Sequence, residues 1–131
     1  MLGIDTNVLV RFLVRDHETQ FERVRRLIRR EIAAGEDVFV SLLVLLETEW
    51  VLRSRYALQK PEIMATISAL LDATELQFED EAAIEETLFI WKDSSAEFAD
   101  CLIGARNRRL GCRATATFDA KAIQLPDCLA V

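Results

Sequence analysis

Residues 2–13 read LGIDTNVLVRFL, a short apolar run, three polar residues and a second apolar run. The run LGID predicts a buried strand that ends at Asp5. Thr6 or Asn7 is predicted to cap a helix over residues 7–16, because either side chain accepts from the free N–H groups of a first helical turn. A strand that leads directly into a helix is typical of α/β proteins, so we expect the same alternation further along the chain.

Short apolar runs alternate with segments that carry helical spacing and capping signals. The predicted strands are 2–5, 37–41, 76–79, 113–117 and 128–131, and the predicted helices are 7–16, 18–35, 41–56, 60–73, 79–92 and 96–111, with a turn or short helix at 118–123. This order predicts one α/β domain over residues 1–131, with a central, mostly parallel sheet of about five strands covered on both faces. Functional side chains are expected at the C-terminal ends of the strands, where Asp5 and Asp119 fall.

The charge of the chain is unevenly distributed. The net charge is −6, which argues against a protein that simply binds the nucleic-acid backbone. Residues 11–30, however, contain seven arginines and three acids, whereas residues 79–100 contain eight acids and one lysine. Solvated helix faces explain most such residues. The alternative is a basic surface for an anion beside acids that gather a metal.

Other residue types exclude several classes of protein. Cys101, Cys112 and Cys128 lack the spacing of a zinc site, and we interpret them as reduced core thiols of a cytoplasmic protein. The single histidine, His17, lies in the charged stretch RDHETQ and is predicted to be a surface residue. No secretory signal and no stretch of the roughly 20 apolar residues that span a bilayer is predicted.

Four acids border or interrupt apolar segments: Asp5, Glu47, Asp100 and Asp119. A carboxylate in apolar surroundings must be paired, hydrogen-bonded or metal-bound, because isolated burial is costly. No lysine adjoins any of the four. Several converging carboxylates without histidine match a hard divalent cation, Mg²⁺ or Mn²⁺.

Each acid also has an ordinary structural explanation. Asp5 and Asp119 could be turn or cap residues, and Asp100 could pair with an arginine such as Arg53 or Arg106. Glu47 could be a partly exposed helix residue. Glu49 lies about 200° around the helix from Glu47, so both cannot face one site, and we predict Glu49 to be exposed.

Four segments together resemble the PIN domain, and in particular the VapC-type ribonuclease toxins of bacterial toxin–antitoxin pairs. They are IDTNVLVRFL, VSLLVLLETEWVLRSRY, EFADCLIGA and TATFDAKA, and the resemblance covers residues 2–131. It implies a three-layer α/β/α domain with endoribonuclease activity that depends on one or two Mg²⁺ or Mn²⁺ ions. It also implies an RNA substrate and a VapB-type antitoxin as partner.

The resemblance assigns roles to particular residues. It implies that Asp5, Glu47, Asp100 and Asp119 hold the metal and are the catalytic acids. Polar residues that line the site in similar proteins correspond to Thr6, Asn7, Ser41 and Glu97. Arginines close to these segments, as candidates for RNA binding, are Arg11, Arg15, Arg53 and Arg55.

Two other functions remain open. A haloacid-dehalogenase-like phosphohydrolase also has an aspartate after its first strand, but needs a second aspartate where this chain has Asn7. A binding module without catalysis is the other alternative. The segments VRFLV and LLVLLETEWVL carry more apolar residues than one core face needs, so the surplus is either core or a surface for a homodimer or an antitoxin. A PIN nuclease that is not a toxin also fits the same residues.

Overall fold

The computed structural model describes all residues, 1–131, and alternates short strands with longer helices. The strands are β1 (Leu2–Gly3), β2 (Val38–Val40), β3 (Leu76–Phe78), β4 (Thr115–Thr117) and β5 (Cys128–Ala130). The helices are α1 (Thr6–Leu13), α2 (Glu18–Ala33), α3 (Leu42–Ser54), α4 (Lys60–Asp72), α5 (Glu81–Lys92) and α6 (Phe98–Arg109), with a short 3-10 helix at Ala122–Gln124. The predicted α/β class and order of elements are confirmed.

The chain divides into two compact units, Met1–Glu79 and Asp80–Val131. In the first unit, β1, β2 and β3 form a parallel sheet with β2 in the middle, where Val38 lies opposite Leu2 on one side and Leu76 on the other. In the second unit, β4 and β5 form a parallel pair. Parallel pairing is therefore confirmed for every strand.

The prediction of about five strands in one sheet is wrong in its pairing, because the hydrogen bonds define a sheet of three strands and a sheet of two. Each strand is only two or three residues long. Strands this short provide few backbone groups for hydrogen bonds between strands. The pattern of apolar residues alone does not show which strands pair with each other.

The core of the first unit lies around β2. Val38 and Val40 are fully buried, and the apolar sides of α1 and α2 pack there through Leu9 and Ile28, with Leu70 from α4. The helical spacing of these apolar residues explains the arrangement, because it places them on one side of each helix. The opposite side of α2 carries its arginines.

The second unit is organised by the packing of α5 against α6. Trp91 and Phe98 meet edge to face, with their ring centroids 5.1 Å apart, and Ile84 is fully buried. Edge-to-face contact suits the positive rim and negative face of aromatic rings. Helices α2 and α6 end two residues before Gly35 and Gly111, the glycines at the ends of the predicted helices 18–35 and 96–111, and both glycines adopt positive φ, at 79° and 92°.

Single residues test the remaining predictions. His17 is exposed, as predicted, and its Nδ1 accepts from the Gln20 amide at 3.2 Å to cap α2. The three cysteines are unpaired, but only Cys101 lies in the core: Cys112 is exposed, because it follows the turn at Gly111, and Cys128 is half-buried. None of the helices combines the length and the apolar composition that crossing a membrane requires.

Candidate functional site

Asp5 is the N-cap of α1. Its backbone is extended (φ −90°, ψ 178°), and its Oδ1 accepts from the Val8 amide at 3.0 Å. The prediction that Thr6 or Asn7 caps the helix is therefore wrong, because the helix already begins at Thr6. Asp5 is exposed, and its second oxygen, Oδ2, has no hydrogen-bond partner in the protein. The cap fixes the carboxylate and leaves one oxygen available for a ligand.

Glu47 lies on α3, which begins after Ser41. The Ser41 hydroxyl accepts from the Val44 amide at 3.2 Å, so this residue caps the helix, as its position predicts. Glu47 itself is exposed and makes no hydrogen bond or ion pair. The apolar sequence around Glu47 therefore does not bury it. Its neighbours one turn away, Leu43 and Trp50, are also largely exposed, at 77% and 51%.

A cleft of about 630 Å³ in the first unit, here called the acid cleft, brings several predicted site residues together. It is lined by Asp5, Thr6, Asn7, Glu47, Trp50 and Arg55, with Leu43, Val44 and Val51. Ser41 is not among them. The sequence interpretation missed four site residues, although they lie three or four positions from Glu47 and so share its side of the helix: Leu43, Val44, Trp50 and Val51.

The prediction that Glu49 is exposed is wrong. Its side chain is 3% exposed, and its two oxygens accept from Arg53 Nε at 3.1 Å and from Arg53 Nη2 at 3.4 Å. The pair lies at positions i and i+4 of the helix, so the sequence carried the signal. Arg53 is thus committed to a buried acid, which leaves Arg55 as the predicted arginine that lines the acid cleft.

Two more of the predicted RNA-binding arginines have local partners. Arg11 Nη1 donates to Asp16 at 3.1 Å and to the Tyr56 hydroxyl at 3.2 Å. The guanidinium of Arg15 lies 4.1 Å from the ring centroid of Phe21, a cation–π contact. These contacts orient both side chains along α1 and α2.

The second unit brings Asp100, Asp119 and Glu97 under each other's electrostatic influence. Burial raises the pKa of the Asp100 carboxyl, and the negative charges of Asp119 and Glu97 raise it further, against a hydrogen bond from the Glu97 backbone that lowers it. Asp100 lies in the first turn of α6, and Glu97 is the N-cap residue of that helix. Unlike the other three acids, Asp100 is partly buried.

Asp119 resembles Asp5 in how it is held. Its Oδ1 accepts from the amides of Lys121 and Ala122, at 2.8 and 2.9 Å, and its own amide donates to the Thr117 hydroxyl at 3.0 Å. One carboxylate oxygen is thereby fixed by the backbone. Within either unit taken by itself, no three histidine, cysteine, aspartate or glutamate side chains form a ready-made metal-binding group.

Comparison with known proteins gives two findings. Residues 3–127 match the family profile of the PIN domain. A protein named VapC ribonuclease, from Aquifex aeolicus (strain VF5), is 24% identical over 115 residues, which cover 88% of this chain and 84% of that protein.

Proposed function

This chain belongs to the PIN-domain family, and from that premise we propose that it is a divalent-metal-dependent endoribonuclease of the VapC type. The observation that carries the proposal is the family match over residues 3–127, in which all four predicted acids lie. The match also disfavours the haloacid-dehalogenase alternative. We further propose that residues 1–131 act as one PIN domain.

The proposed catalytic acids and metal ligands are Asp5, Glu47, Asp100 and Asp119. Carboxylate oxygens are the donors that Mg²⁺ and Mn²⁺ prefer. The residues fit such an ion. Without a bound cation, the charged form of Asp100 is disfavoured by the burial of its carboxyl and by the negative charges of Asp119 and Glu97. A nearby cation reverses that effect.

The roles of the side chains follow from their surroundings. A bound divalent ion supplies positive charge to the phosphodiester and acidifies the attacking water. Asp5 and Asp119 each keep one oxygen fixed by backbone amides and present the other. Thr6 and Asn7 line the acid cleft beside Asp5, and Arg55 offers a guanidinium for a phosphate in the same cleft.

We also propose that the protein is the toxin of a toxin–antitoxin pair, is cytoplasmic, and assembles as a homodimer that a VapB-type antitoxin binds. The name of the related protein from Aquifex aeolicus supports the toxin class. Leu43 and Trp50 support a protein partner, because these two large apolar side chains both lie exposed along α3. A nuclease outside toxin–antitoxin systems is the alternative.

Cleavage of a structured RNA tests the proposed reaction. We expect the purified protein to cleave with Mg²⁺ or Mn²⁺, to stop when a chelator is added, and to lose about 100-fold or more of its rate as Asp5→Asn or Asp100→Asn. The amide oxygen introduced by Asp5→Asn can still accept from the Val8 amide, so the cap survives and circular dichroism should show a folded protein.

Asp72→Asn is the matched control, because Asp72 is an exposed aspartate at the end of α4 and lines none of the clefts. Its rate should stay within about twofold of the parent protein, as expected for a surface site. Cleavage that survives both the chelator and Asp5→Asn would show that the proposed site is wrong.

A further inference from the structure

Three clefts of the first unit are joined by the residues that they share. The acid cleft shares Asn7 with a cleft of about 420 Å³ between α1 and α2, here called the arginine cleft. The arginine cleft in turn shares Arg23 and Arg30 with an outer groove of about 480 Å³. The three clefts therefore adjoin one another, from Asp5 past Asn7 to the outer side of α2.

The outer groove is lined only by arginine side chains, those of Arg23, Arg26 and Arg30. They are spaced three and four residues apart, so they lie on one side of α2, with rises of about 4.5 and 6 Å along its axis. This is the few-ångström scale on which charges repeat along a nucleic-acid strand. All three side chains are exposed.

These arginines are not neutralised by the protein. Arg23 and Arg30 form no ion pair, and Arg26 donates only to the backbone carbonyl of Glu22, at 3.4 Å. The Glu22 carboxylate is bound to Arg25 instead, at 3.2 Å. Three unpaired guanidinium groups in a row, in a chain whose net charge is −6, are a site for a polyanion.

We propose that the arginine cleft and the outer groove form a backbone path, in which Arg23, Arg26 and Arg30 bind successive phosphates of an RNA strand whose scissile bond lies in the acid cleft. This inference rests on the proposed function. Guanidinium groups bind phosphate oxygens in pairs of charge-assisted hydrogen bonds. Arg11 forms a wall of the same path, since it lines the arginine cleft.

An acidic protein segment would find a poorer fit. The buried centre of a protein interface is depleted in charge and rich in apolar side chains, whereas no apolar residue lines the outer groove. Val8 and Leu27, which line the arginine cleft, are half-buried, and their exposed parts can contact ribose and base edges. A polymer long enough to extend beyond the acid cleft has this path open to it.

Fluorescence anisotropy with a labelled single-stranded RNA tests the path without any dependence on cleavage. The background is the Asp100→Asn protein, which keeps the RNA intact. We expect the triple variant Arg23→Gln, Arg26→Gln, Arg30→Gln to bind about tenfold more weakly, and to lower the slope of log K against log salt by about 2, since each phosphate contact on a single strand contributes about 0.7. A labelled dinucleotide, too short to reach α2, should bind the two proteins alike.

Arg29→Gln is the matched control. Arg29 is exposed on the same helix and carries the same charge, but it lines none of the three clefts. Its affinity and salt slope should stay within about twofold, and Gln keeps the helix propensity of Arg. Equal losses for Arg29→Gln and Arg26→Gln would overturn the path, because they would show general attraction rather than a located contact.

The test separates this inference from the proposed function. Loss of binding in the triple variant supports the path even if no cleavage is ever found. Unchanged binding by the triple variant of a protein that does cleave RNA overturns the path alone. The path would also be overturned if the triple variant lost binding of polyglutamate but kept binding of RNA. That result would assign the groove to an acidic protein.

Discussion

Helices α2 and α6 are both rich in arginine, but they use it differently. At the end of α6, Arg106 Nη1 donates to Asp80 at 3.1 Å, and Arg109 binds the same carboxylate, whose side chain is 8% exposed. Arg108 binds Glu86 at 2.7 Å. Since Asp80 and Glu86 belong to α5 and its cap, the arginines of α6 hold two helices together.

On α2, the arginines that line the clefts have no carboxylate partner. Arg23 and Arg30 extend from the side of the helix opposite to its buried residues Phe21 and Ile28. Arginine therefore stabilises the fold in the second unit, whereas in the first unit the arginines that line the clefts remain available to a ligand. Counting arginines in the sequence does not distinguish these uses, because the distinction depends on whether a neighbouring helix supplies an acid.

The largest expected effect concerns Asp80. It caps α5 by accepting from the Ala83 amide at 3.2 Å, besides binding two arginines. Asp80→Ala should lower the free energy of unfolding by about 2–3 kcal/mol, because it removes a cap and takes away the carboxylate that Arg106 and Arg109 share. Urea unfolding followed by circular dichroism measures this.

Asp80→Asn separates the contributions. Asn keeps the cap and tolerates the positive φ of 52° at this position, so the loss should be about 1 kcal/mol. If Asp80→Ala were as mild as an ordinary surface change, within about 0.5 kcal/mol, the arginines of α6 would not stabilise the fold, and the contrast with α2 would fail.

A smaller effect compares two buried threonines, one in each unit. Thr87 donates to the Ala83 carbonyl at 2.7 Å, whereas the hydroxyl of Thr48 is buried without a partner. Thr87→Val should cost about 1 kcal/mol, and Thr48→Val should be neutral or stabilising by up to about 1 kcal/mol. Thermal unfolding measures both effects. Each variant is the control for the other, since both replace a helical threonine with valine. Equal costs would show that the hydroxyls contribute alike.

The smallest expected effect concerns Asp100, the acid whose charge the second unit disfavours. Its pKa in the folded protein lies above the usual 3.8, so folding favours the neutral carboxyl, and folding stability falls as the pH rises from about 3.8 through the raised pKa. At neutral pH, Asp100→Asn should therefore be more stable than the parent protein, by a small amount because the group is partly exposed.

Below pH 3.8 the two proteins should unfold alike, because Asp100 is then protonated in both states. Added Mg²⁺ should stabilise the parent protein more than Asp100→Asn. An advantage of the variant that persists in acid would have another origin than the charge of Asp100.

Most of the fold could be predicted from the sequence. The periodicity of apolar residues and the stops at Gly35 and Gly111 placed the helices, because these signals act within a few residues. The pairing of strands could not be predicted, since it depends on contacts between distant segments that are each two or three residues long.

The candidate site was predicted less completely. DTN offers three side chains that can cap a helix, and the extended backbone at Asp5 decides among them. Spacing correctly placed Glu47 and Glu49 on different sides of α3 but did not show which side is buried. The clefts beside α2 depend on how α1 packs against it, which no local pattern encodes.

Asp5 and Glu47 also differ in how strongly the fold itself restricts the residue type at their positions. The backbone of α1 would favour Asp, Asn or Ser at position 5 even in a descendant that had lost all activity, because the Val8 amide still needs an acceptor. The side chain of Glu47 has no such structural role, since it makes no hydrogen bond or ion pair in the protein. In a set of related chains, loss of the acid at position 47 is therefore expected to mark the decay of the proposed catalysis sooner than any change at position 5.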